Sequence, residues 1–309
     1  MRIFVTGASG WIGSAVVQEL IEHDHKVIGL ARSDASAISL AANGAEVQRG
    51  DLDDLDTLQA VAAESDGVIH LAFKHDIAFS GGFQDAADAD RRAVESIGRA
   101  LEGSGRPFAI ASGTLGLAIG GKPATELDGH ALDTSVPALG NGPRTRWATS
   151  EFVISLAQQG VRSSVVRLPP TNHGDGDHGF IASLIGIARD KGVSGYIGDG
   201  SSHWPAVHRL DSARLFRLAV EKAPAGSTLH AVADEGITIR EIAEIVGRHL
   251  DIPVVSIPSE LAESHFTWMA GFLAADSPAS SALTRALLDW EPTNLGLIED
   301  LEQGHYFVK

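Results

Sequence analysis

Short apolar runs alternate with stretches of helical spacing through the first half of the chain. The apolar runs predict strands, and stretches with apolar residues three and four positions apart predict the helices between them. The predicted strands are residues 2–6, 26–31, 45–48, 67–71, 108–111 and 163–167, and the predicted helices include 11–23, 86–101 and 146–159. This alternation is typical of an α/β fold built on a doubly wound parallel sheet.

The rhythm changes after Pro169, where helices dominate. Helices are predicted over residues 179–191, 211–222, 239–250 and 279–288, with short strands near 195–197, 228–231 and 253–257. Residues 113–143, rich in Gly, Pro, Asp and Thr, predict a long loop or lid beside the sheet. We therefore divide the chain into residues 1–168 and a smaller, mostly helical unit, residues 169–309, interleaved with the first. A ligand cleft is expected between the two units.

Composition narrows the classes of protein. The 309 residues include 24 basic and 40 acidic side chains, and a formal net charge of −16 disfavours nucleic-acid binding. The absence of cysteine excludes disulfides, thiolate metal sites and a cysteine nucleophile. No apolar run reaches the roughly 18 residues of a membrane span, and the chain enters a glycine turn with no room for a signal peptide. We expect a cytoplasmic protein without a membrane or nucleic-acid partner.

A glycine-rich turn joins the first predicted strand to the first predicted helix. It reads Thr6-Gly7-Ala8-Ser9-Gly10-Trp11-Ile12-Gly13. Gly7 suits the tight turn, Gly10 lets backbone N–H groups approach a pyrophosphate, and Gly13 lets the helix pack closely on the strand. The helix N-terminus adds unpaired donors and a positive dipole end. Because the pattern lies within a βαβ unit, it predicts a dinucleotide site on a Rossmann domain comprising residues 1–168.

The end of the second strand indicates which dinucleotide is bound. A carboxylate at this position would hydrogen-bond the ribose 2′-hydroxyl of NAD, but the chain has Arg32 and Ser33 there. A guanidinium and a hydroxyl can hold a 2′-phosphate, which favours NADP(H) over NAD(H). The alternative is that Arg32 is an ordinary solvated arginine.

These features resemble the extended short-chain dehydrogenase/reductase family, the group that includes nucleotide-sugar epimerases and 3β-hydroxysteroid dehydrogenases. Beyond the glycine turn, the resemblance rests on Gly50-Asp51-Leu52, His70-Leu71-Ala72, Arg167, Gly198-Asp199-Gly200, and residues 207–211 and 289–293. It implies that Asp51 and Leu52 flank the adenine, that Leu71, Ala72 and Phe73 line the cofactor cleft, and that Pro169 and Pro170 contact the nicotinamide side. It also implies a homodimer formed through helices 86–101 and 146–159.

The family's Tyr-x-x-x-Lys pair is missing. Alignment on Glu151 puts Pro143 in the place of the tyrosine and Trp147 in that of the lysine. The two tyrosines of the chain, Tyr196 and Tyr306, lie in no such motif. In this respect the chain resembles the atypical short-chain dehydrogenases, which keep the cofactor motif and lose the active-site residues.

Other residues are candidates for the lost chemistry. Ser112 and Thr114 flank Gly113, which occupies the usual catalytic serine position, and either hydroxyl can orient a substrate oxygen or cap a turn. Arg144 or Arg146 can supply the charge of the lost lysine, although an arginine cannot donate a proton near neutral pH.

Histidines provide further candidates. His173 begins a segment through His178 that we interpret as a substrate loop rather than a metal site, and we predict no metal. His75 follows the fourth strand, where it is either a catalytic group or a plain loop residue. Trp204 is either a wall of the substrate pocket or part of the core.

We interpret the chain as an NADP(H)-dependent oxidoreductase acting on a small or mid-sized carbonyl or alcohol. Two alternatives stay open at this point. One is an epimerase or isomerase that retains its cofactor, and the other is a non-catalytic NADP(H)-binding sensor.

Overall fold

A computed structural model describes residues 1–118, 120–129 and 143–308, with the side chains of residues 143–145 outside the description. Residues 130–142 of the predicted loop therefore lie outside the described residues. So do the side chains of Pro143 and Arg144. Of the described part of that loop, Ala124 forms a bridge with Ala279. No helix among the described residues is long and apolar enough to cross a bilayer.

The strands form one large sheet and two small ones. They are β1 (Arg2–Thr6), β2 (Lys26–Ala31), β3 (Glu46–Arg49), β4 (Gly67–His70), β5 (Pro107–Gly113), β6 (Arg162–Leu168), β7 (Thr171–His173), β8 (Ser194–Ile197), β9 (His203–His208), β10 (Ser227–His230), β11 (Asp234–Thr238) and β12 (Val254–Ile257).

The helices are α1 (Trp11–Glu22), α2 (Asp34–Ala42), α3 (Leu55–Ala63), α4 (His75–Ile77), α5 (Phe83–Leu101), α6 (Pro143–Ser155), α7 (Phe180–Lys191), α8 (Arg209–Lys222), α9 (Ile239–Leu250), α10 (Ala262–Phe266), α11 (Ala270–Ala274), α12 (Ala282–Leu288) and α13 (Leu297–Glu302). A π-helical turn at Ala78–Gly82 joins α4 to α5, and a 3-10 turn at Leu156–Gln159 continues α6.

The large sheet has seven parallel strands in the order β10-β6-β5-β4-β1-β2-β3. This is the predicted doubly wound fold, with strand order reversing between β1 and β4. Apolar residues of α1 and α8 pack in a core on one face of the sheet, and residues of α3, α5 and α6 pack in a second core on the other. The crevice at the point of reversal is where such sheets bind ligands, outside the carboxyl ends of the strands.

The chain beyond residue 169 contributes to both units. It supplies edge strand β10 and helix α8 to the large sheet. It also forms two small sheets, β11-β9-β7 and β12-β8, around a third core with α7, α9, α10, α11 and α13. The strand predicted near residues 228–231 thus belongs to the large sheet.

Candidate active site

The glycine turn between β1 and α1 is shaped by contacts that leave no room for side chains. Gly7 has φ of +67°, and a Cβ built on it would lie 2.7 Å from the backbone nitrogen of Ala72. A Cβ on Gly13 would lie 2.0 Å from the carbonyl oxygen of Gly7. Gly10 caps α1 and is exposed, and as a glycine it makes no side-chain hydrogen bond to the first-turn N–H groups. The turn therefore fits an anionic phosphate held by backbone donors, as a dinucleotide requires.

A buried polar chain that sequence reasoning missed holds this turn in place. Thr6 Oγ1 accepts from the backbone N–H of Ala72 at 3.3 Å and lies 2.9 Å from His70 Nδ1, and His70 Nε2 lies 3.1 Å from Asp90 Oδ1. Because a carboxylate only accepts, Nε2 carries the proton, and in the neutral ring the Thr6 hydroxyl then donates to Nδ1. Thr6, His70 and Asp90 are all buried. These hydrogen bonds between Thr6, His70 and Asp90 fix the backbone after β4 against the glycine turn. An aspartate on the apolar face of α5 was the signal that could have revealed it.

Two arginines lie at the ends of β2 and β3. Arg32 is exposed and makes an ion pair with Asp76 at 3.3 Å. Ser33 caps α2 by accepting from the N–H of Ser36 at 3.1 Å. Arg49, which the sequence analysis did not single out, donates to the Ser33 carbonyl at 2.6 Å and pairs with Asp34. Arg32 directly follows β2, and Arg49 is hydrogen-bonded to Ser33, the residue after Arg32. Two guanidinium groups therefore flank the corner of the sheet where β2 and β3 end.

The other predicted cofactor positions lie around the same edge. Ser9 and Asp51 are exposed, Leu52 and Pro169 are buried, and Ile12, Leu71, Ala72 and Phe73 are half-buried. The Trp11 indole donates to the Asn172 carbonyl at 2.7 Å, and the Arg209 guanidinium lies 4.1 Å above its ring. The start of α1 is thereby joined to the chain after β6.

Three predicted catalytic residues lie at or beside the end of β5. The Arg146 guanidinium lies 4.2 Å above the Phe73 ring and donates to the Ala111 carbonyl at 3.0 Å. The Ser150 hydroxyl lies 3.0 Å from Ser112 Oγ and 3.2 Å from the Arg146 carbonyl oxygen, so it joins Ser112 to the first turns of α6. Thr114 is 1% exposed, and its hydroxyl has no hydrogen-bond partner among the described residues.

His173 lies in a different environment. It is fully buried, and its Nδ1 donates to Asp300 Oδ2 at 2.8 Å. Its ring meets that of His208 edge-on at 5.4 Å. Burial, followed by repulsion from His173, lowers the pKa of His208. No contact links His173 to Ser112, Thr114 or Arg146 among the bonds and ring contacts of the described residues, so its catalytic role stays a prediction.

The sequence analysis left the role of Trp204 open and placed Tyr196 and Tyr306 outside the family's Tyr-x-x-x-Lys motif. Trp204 is fully buried and donates to the Phe272 carbonyl, so it is part of the core. The Tyr306 hydroxyl donates to Asp177 at 2.9 Å and accepts from the N–H of Gly174. Burial, with the neighbouring Asp177 carboxylate, raises the pKa of Tyr306. Tyr196 lies under the Arg240 guanidinium in the C-terminal core.

The sheet order and the glycine turn define a nucleotide-binding Rossmann enzyme of the extended short-chain dehydrogenase type. The chain belongs to the NAD dependent epimerase/dehydratase family, whose model matches residues 3–232. This confirms the resemblance, and with it a nicotinamide cofactor and oxidoreductase-type chemistry in broad terms.

Individual relatives match most or nearly all of the chain. An uncharacterized protein of Schizosaccharomyces pombe is 48% identical over 99% of this chain and 100% of its own length. A 4-hydroxy-2-methyl-3-oxo-4-farnesyl-3,4-dihydroquinoline-1-oxide ketoreductase of Stigmatella aurantiaca is 25% identical over 90% of this chain and 84% of its own. The UDP-glucose 4-epimerase of Thermotoga maritima, solved with UDP-glucose, has a similar fold, with a TM-score of 0.75, 20% identity and coverage of 99% and 98%.

Proposed function

We propose that this protein is an NADP(H)-dependent oxidoreductase that interconverts a carbonyl compound and its alcohol. The observation that carries the proposal is a continuous series of contacts along one edge of the sheet. The glycine turn meets the backbone at Ala72, the next residue, Phe73, lies under Arg146, and Arg146 is bonded to the carbonyl preceding Ser112. A phosphate cradle and a set of polar groups able to bind a substrate oxygen thus adjoin each other.

The cofactor contacts we propose surround this edge. They comprise Gly7, Ser9, Gly10, Trp11, Ile12 and Gly13 at the pyrophosphate, Arg32 and Ser33 at the 2′-phosphate, Asp51 and Leu52 at the adenine, and Leu71, Ala72, Phe73 and Pro169 along the cleft. When bound, a nicotinamide supplies the hydride, and the protein's part is to orient the substrate and stabilise charge.

The residues at the end of β5 suit the oxygen side of that reaction. Arg146 is held by the Ala111 carbonyl and the Phe73 ring, so its positive charge is fixed and can stabilise negative charge that develops on a substrate oxygen. Arginine keeps its proton near neutral pH, so the proton must arrive by another route. Ser112 and Thr114 can donate hydrogen bonds to the oxygen and pass it a proton from water.

The relatives support carbonyl chemistry at this site. The Stigmatella aurantiaca protein is by its name a ketoreductase and matches 90% of this chain. A retained-cofactor epimerase is the alternative that the family name suggests. The sequence lacks the Tyr-x-x-x-Lys pair, which the family uses as its proton-transfer group. Its absence therefore does not favour the oxidoreductase over the epimerase, or the reverse.

The choice of NADP(H) rests on the corner formed by β2 and β3. A 2′-phosphate there would meet the exposed Arg32 guanidinium and the Ser33 hydroxyl, with Arg49 adjoining the Ser33 carbonyl. Two carboxylates lie beside this corner, and each is paired with an arginine that offsets its charge: Asp76 with Arg32 and Asp34 with Arg49. A homodimer and a cytoplasmic location complete the proposal as predictions from sequence.

Fluorescence titration of NADPH and NADH tests the proposal. We expect NADPH to bind more tightly, and Arg32→Ala to weaken NADPH binding by about 1.5–3 kcal/mol, or roughly ten- to a hundredfold, while NADH affinity changes little. Arg240→Ala is the matched control, because Arg240 is also an exposed arginine paired with a carboxylate but lies on α9. Equal affinities for the two cofactors, or an Arg32→Ala variant that binds NADPH normally, would contradict the choice of NADP(H).

A further inference from the structure

Five aromatic rings from three separate segments of the chain form a continuous row. Phe73 meets His75 edge-on at 5.1 Å, and His75 lies nearly parallel to Phe79 at 5.8 Å. Phe79 contacts Trp268 at 5.4 Å, and Trp268 contacts Phe180 at 5.5 Å. We call these five residues the aromatic row. It runs from the segment after β4 to the start of α7, and so bridges the large sheet and the C-terminal core.

The outer part of the aromatic row is open to solvent. Phe79 is 57% exposed and Trp268 is 48% exposed, although both contact other rings of the row. Behind them, Phe180 contacts the fully buried Trp204 at 5.7 Å, which anchors this end in the core. Adjoining large apolar side chains left open on an anchored surface are typical of ligand-binding grooves.

The inner end of the row reaches the proposed active site. Phe73 lies under the Arg146 guanidinium, which is bonded to the carbonyl of Ala111 beside Ser112. A molecule with its reactive group at Ser112 and Thr114 would therefore have the row along its body. This continuity with the cleft favours a small-molecule substrate over a protein partner as the occupant.

We propose that the aromatic row binds the body of the substrate, and that the substrate is a carbonyl compound with a planar apolar ring system. This inference rests on the proposed function, whose substrate class it narrows. Offset and edge-to-face contacts with aromatic rings favour a flat ligand beyond the area that it buries. A polyhydroxylated or diphosphate-bearing ligand would leave its polar groups against these rings.

The charges near the row agree with an uncharged ligand body. Among the cation–ring contacts of the described residues, one involves the row, that of Arg146 with Phe73 at its inner end. Desolvation of its ring, with the Arg146 charge as a second cause, holds the pKa of His75 below its ordinary value. His75 is therefore mainly neutral at pH 7, and the middle of the row offers little positive charge to a diphosphate.

Binding to the NADP⁺-loaded protein, which cannot reduce a ketone, tests the inference, with turnover by NADPH measured separately. Equilibrium dialysis compares 2-acetylnaphthalene with its fully saturated decalin counterpart, which has similar size but no flat ring. We expect the aromatic ketone to bind at least tenfold more tightly. Phe79→Ala and Trp268→Ala should each weaken it about tenfold and leave the saturated ketone within threefold, and Trp268→Phe should retain most of the affinity. Leu287→Ala is the matched control, since Leu287 is equally exposed but lies on α12.

The outcomes separate this inference from the proposed function. Equal affinity for the two ketones, or no effect of either alanine variant, would overturn the role of the row even if NADPH is oxidised. Tighter binding of UDP-glucose than of 2-acetylnaphthalene would also overturn it. If Trp268→Ala halves the particle mass while ketone affinity is unchanged, the row is a contact between copies and the inference fails. Selective ketone binding without NADPH oxidation would support the row and count against the oxidoreductase proposal alone.

Discussion

Thr114 has a buried polar atom whose presence packing alone does not explain. Its hydroxyl is enclosed at the end of β5 without a hydrogen-bond partner among the described residues, while its backbone N–H donates to the Leu168 carbonyl. A buried hydroxyl without a partner costs about 1–3 kcal/mol of desolvation. Valine has the same shape without that cost. The threonine is therefore best explained by a partner that arrives with the substrate.

Thr114→Val is expected to separate stability from activity. We predict that unfolding in urea will show a gain of about 1 kcal/mol, because the unpaired hydroxyl is removed. Ketone reduction is predicted to fall by about a hundredfold or more in kcat, the lower end of what a positioned proton donor contributes, with NADPH affinity unchanged. Thr114→Ser keeps a hydroxyl and should recover most of the rate.

Two results would argue against this role of Thr114. The first is a Thr114→Val enzyme with normal kcat, which would reduce the hydroxyl to a structural feature. The second is a hundredfold loss in Tyr196→Phe or Tyr306→Phe with Thr114→Val unaffected, which would mean that a tyrosine outside the family motif carries the proton. Because the Tyr306 hydroxyl is already bonded to Asp177 and Gly174, we expect Tyr306→Phe to retain its turnover.

At the level of elements, β6 and β10 are joined by a buried polar cluster away from the glycine turn. Arg167 donates to the Asp128 carbonyl and lies 3.4 Å from His230 Nε2, and His230 Nδ1 donates to the Ser280 carbonyl at 2.8 Å. Burial, reinforced by the Arg167 charge and opposed mainly by Glu126, lowers the pKa of His230 to about 4. The edge of the sheet therefore depends on a neutral histidine.

This low pKa predicts that the protein loses stability in mild acid. The unfolded chain takes up a proton on His230 near its ordinary value of 6.5, whereas the folded protein does so only near 4. The stabilisation is thus present above pH 6.5 and is lost as the pH falls from 6.5 towards 4. We expect wild type to lose about 1 kcal/mol through this group between pH 7.5 and 5.5 in urea unfolding. The free energy of unfolding of His230→Gln should depend less steeply on pH, and that of His23→Gln, a variant at an exposed histidine, should follow wild type. If the free energies of all three proteins change in parallel with pH, the prediction is refuted.

Elements with strong local signals were predictable, and those fixed by distant contacts were not. The sequence correctly predicted β1 and β2 to the residue, because each is a compact apolar run beside a turn. It missed α2 and α3, which bury few side chains: Leu40 in α2, and Leu58 with the small Ala62 in α3. It also missed β9, which contains Pro205 and pairs with the short strands β7 and β11.

The candidate site divides in the same way. The glycine turn and Arg32 were visible because their roles follow from positions within one βαβ unit. Arg49 and the Thr6–His70–Asp90 chain were not, because their partners lie 15 to 66 residues away and meet only when the sheet forms. The aromatic row was hidden for the same reason, since Phe79 and Trp268 are far apart in the chain.

At the scale of the whole molecule, α5 and α6 lie side by side on one face of the large sheet. Arg91 of α5 lies 4.2 Å above the Phe152 ring of α6 and donates to the Ala148 carbonyl. The outward side of α5 is polar, with Arg92 and Arg99 exposed and Asp88 and Glu95 half-buried. A twofold axis along these helices would bring charges of both signs from one copy against the same set in the other.

We therefore predict a homodimer through α5 and α6 that weakens with salt. Light scattering at micromolar concentration in low salt should give twice the 32.4 kDa chain mass. In roughly half-molar salt the mass should fall towards 32.4 kDa, because screening shortens the range of interaction between exposed charges to a few ångströms. Arg92→Glu reverses a charge on the outward side of α5 and should shift the equilibrium to monomer at low salt. Arg240→Glu makes the same reversal on α9 and should leave the dimer intact. A 32.4 kDa particle at low salt would rule out the dimer. A dimer whose mass changes with neither salt nor Arg92→Glu would place the contact on another face. The apolar side chains of the aromatic row would then be the first to test.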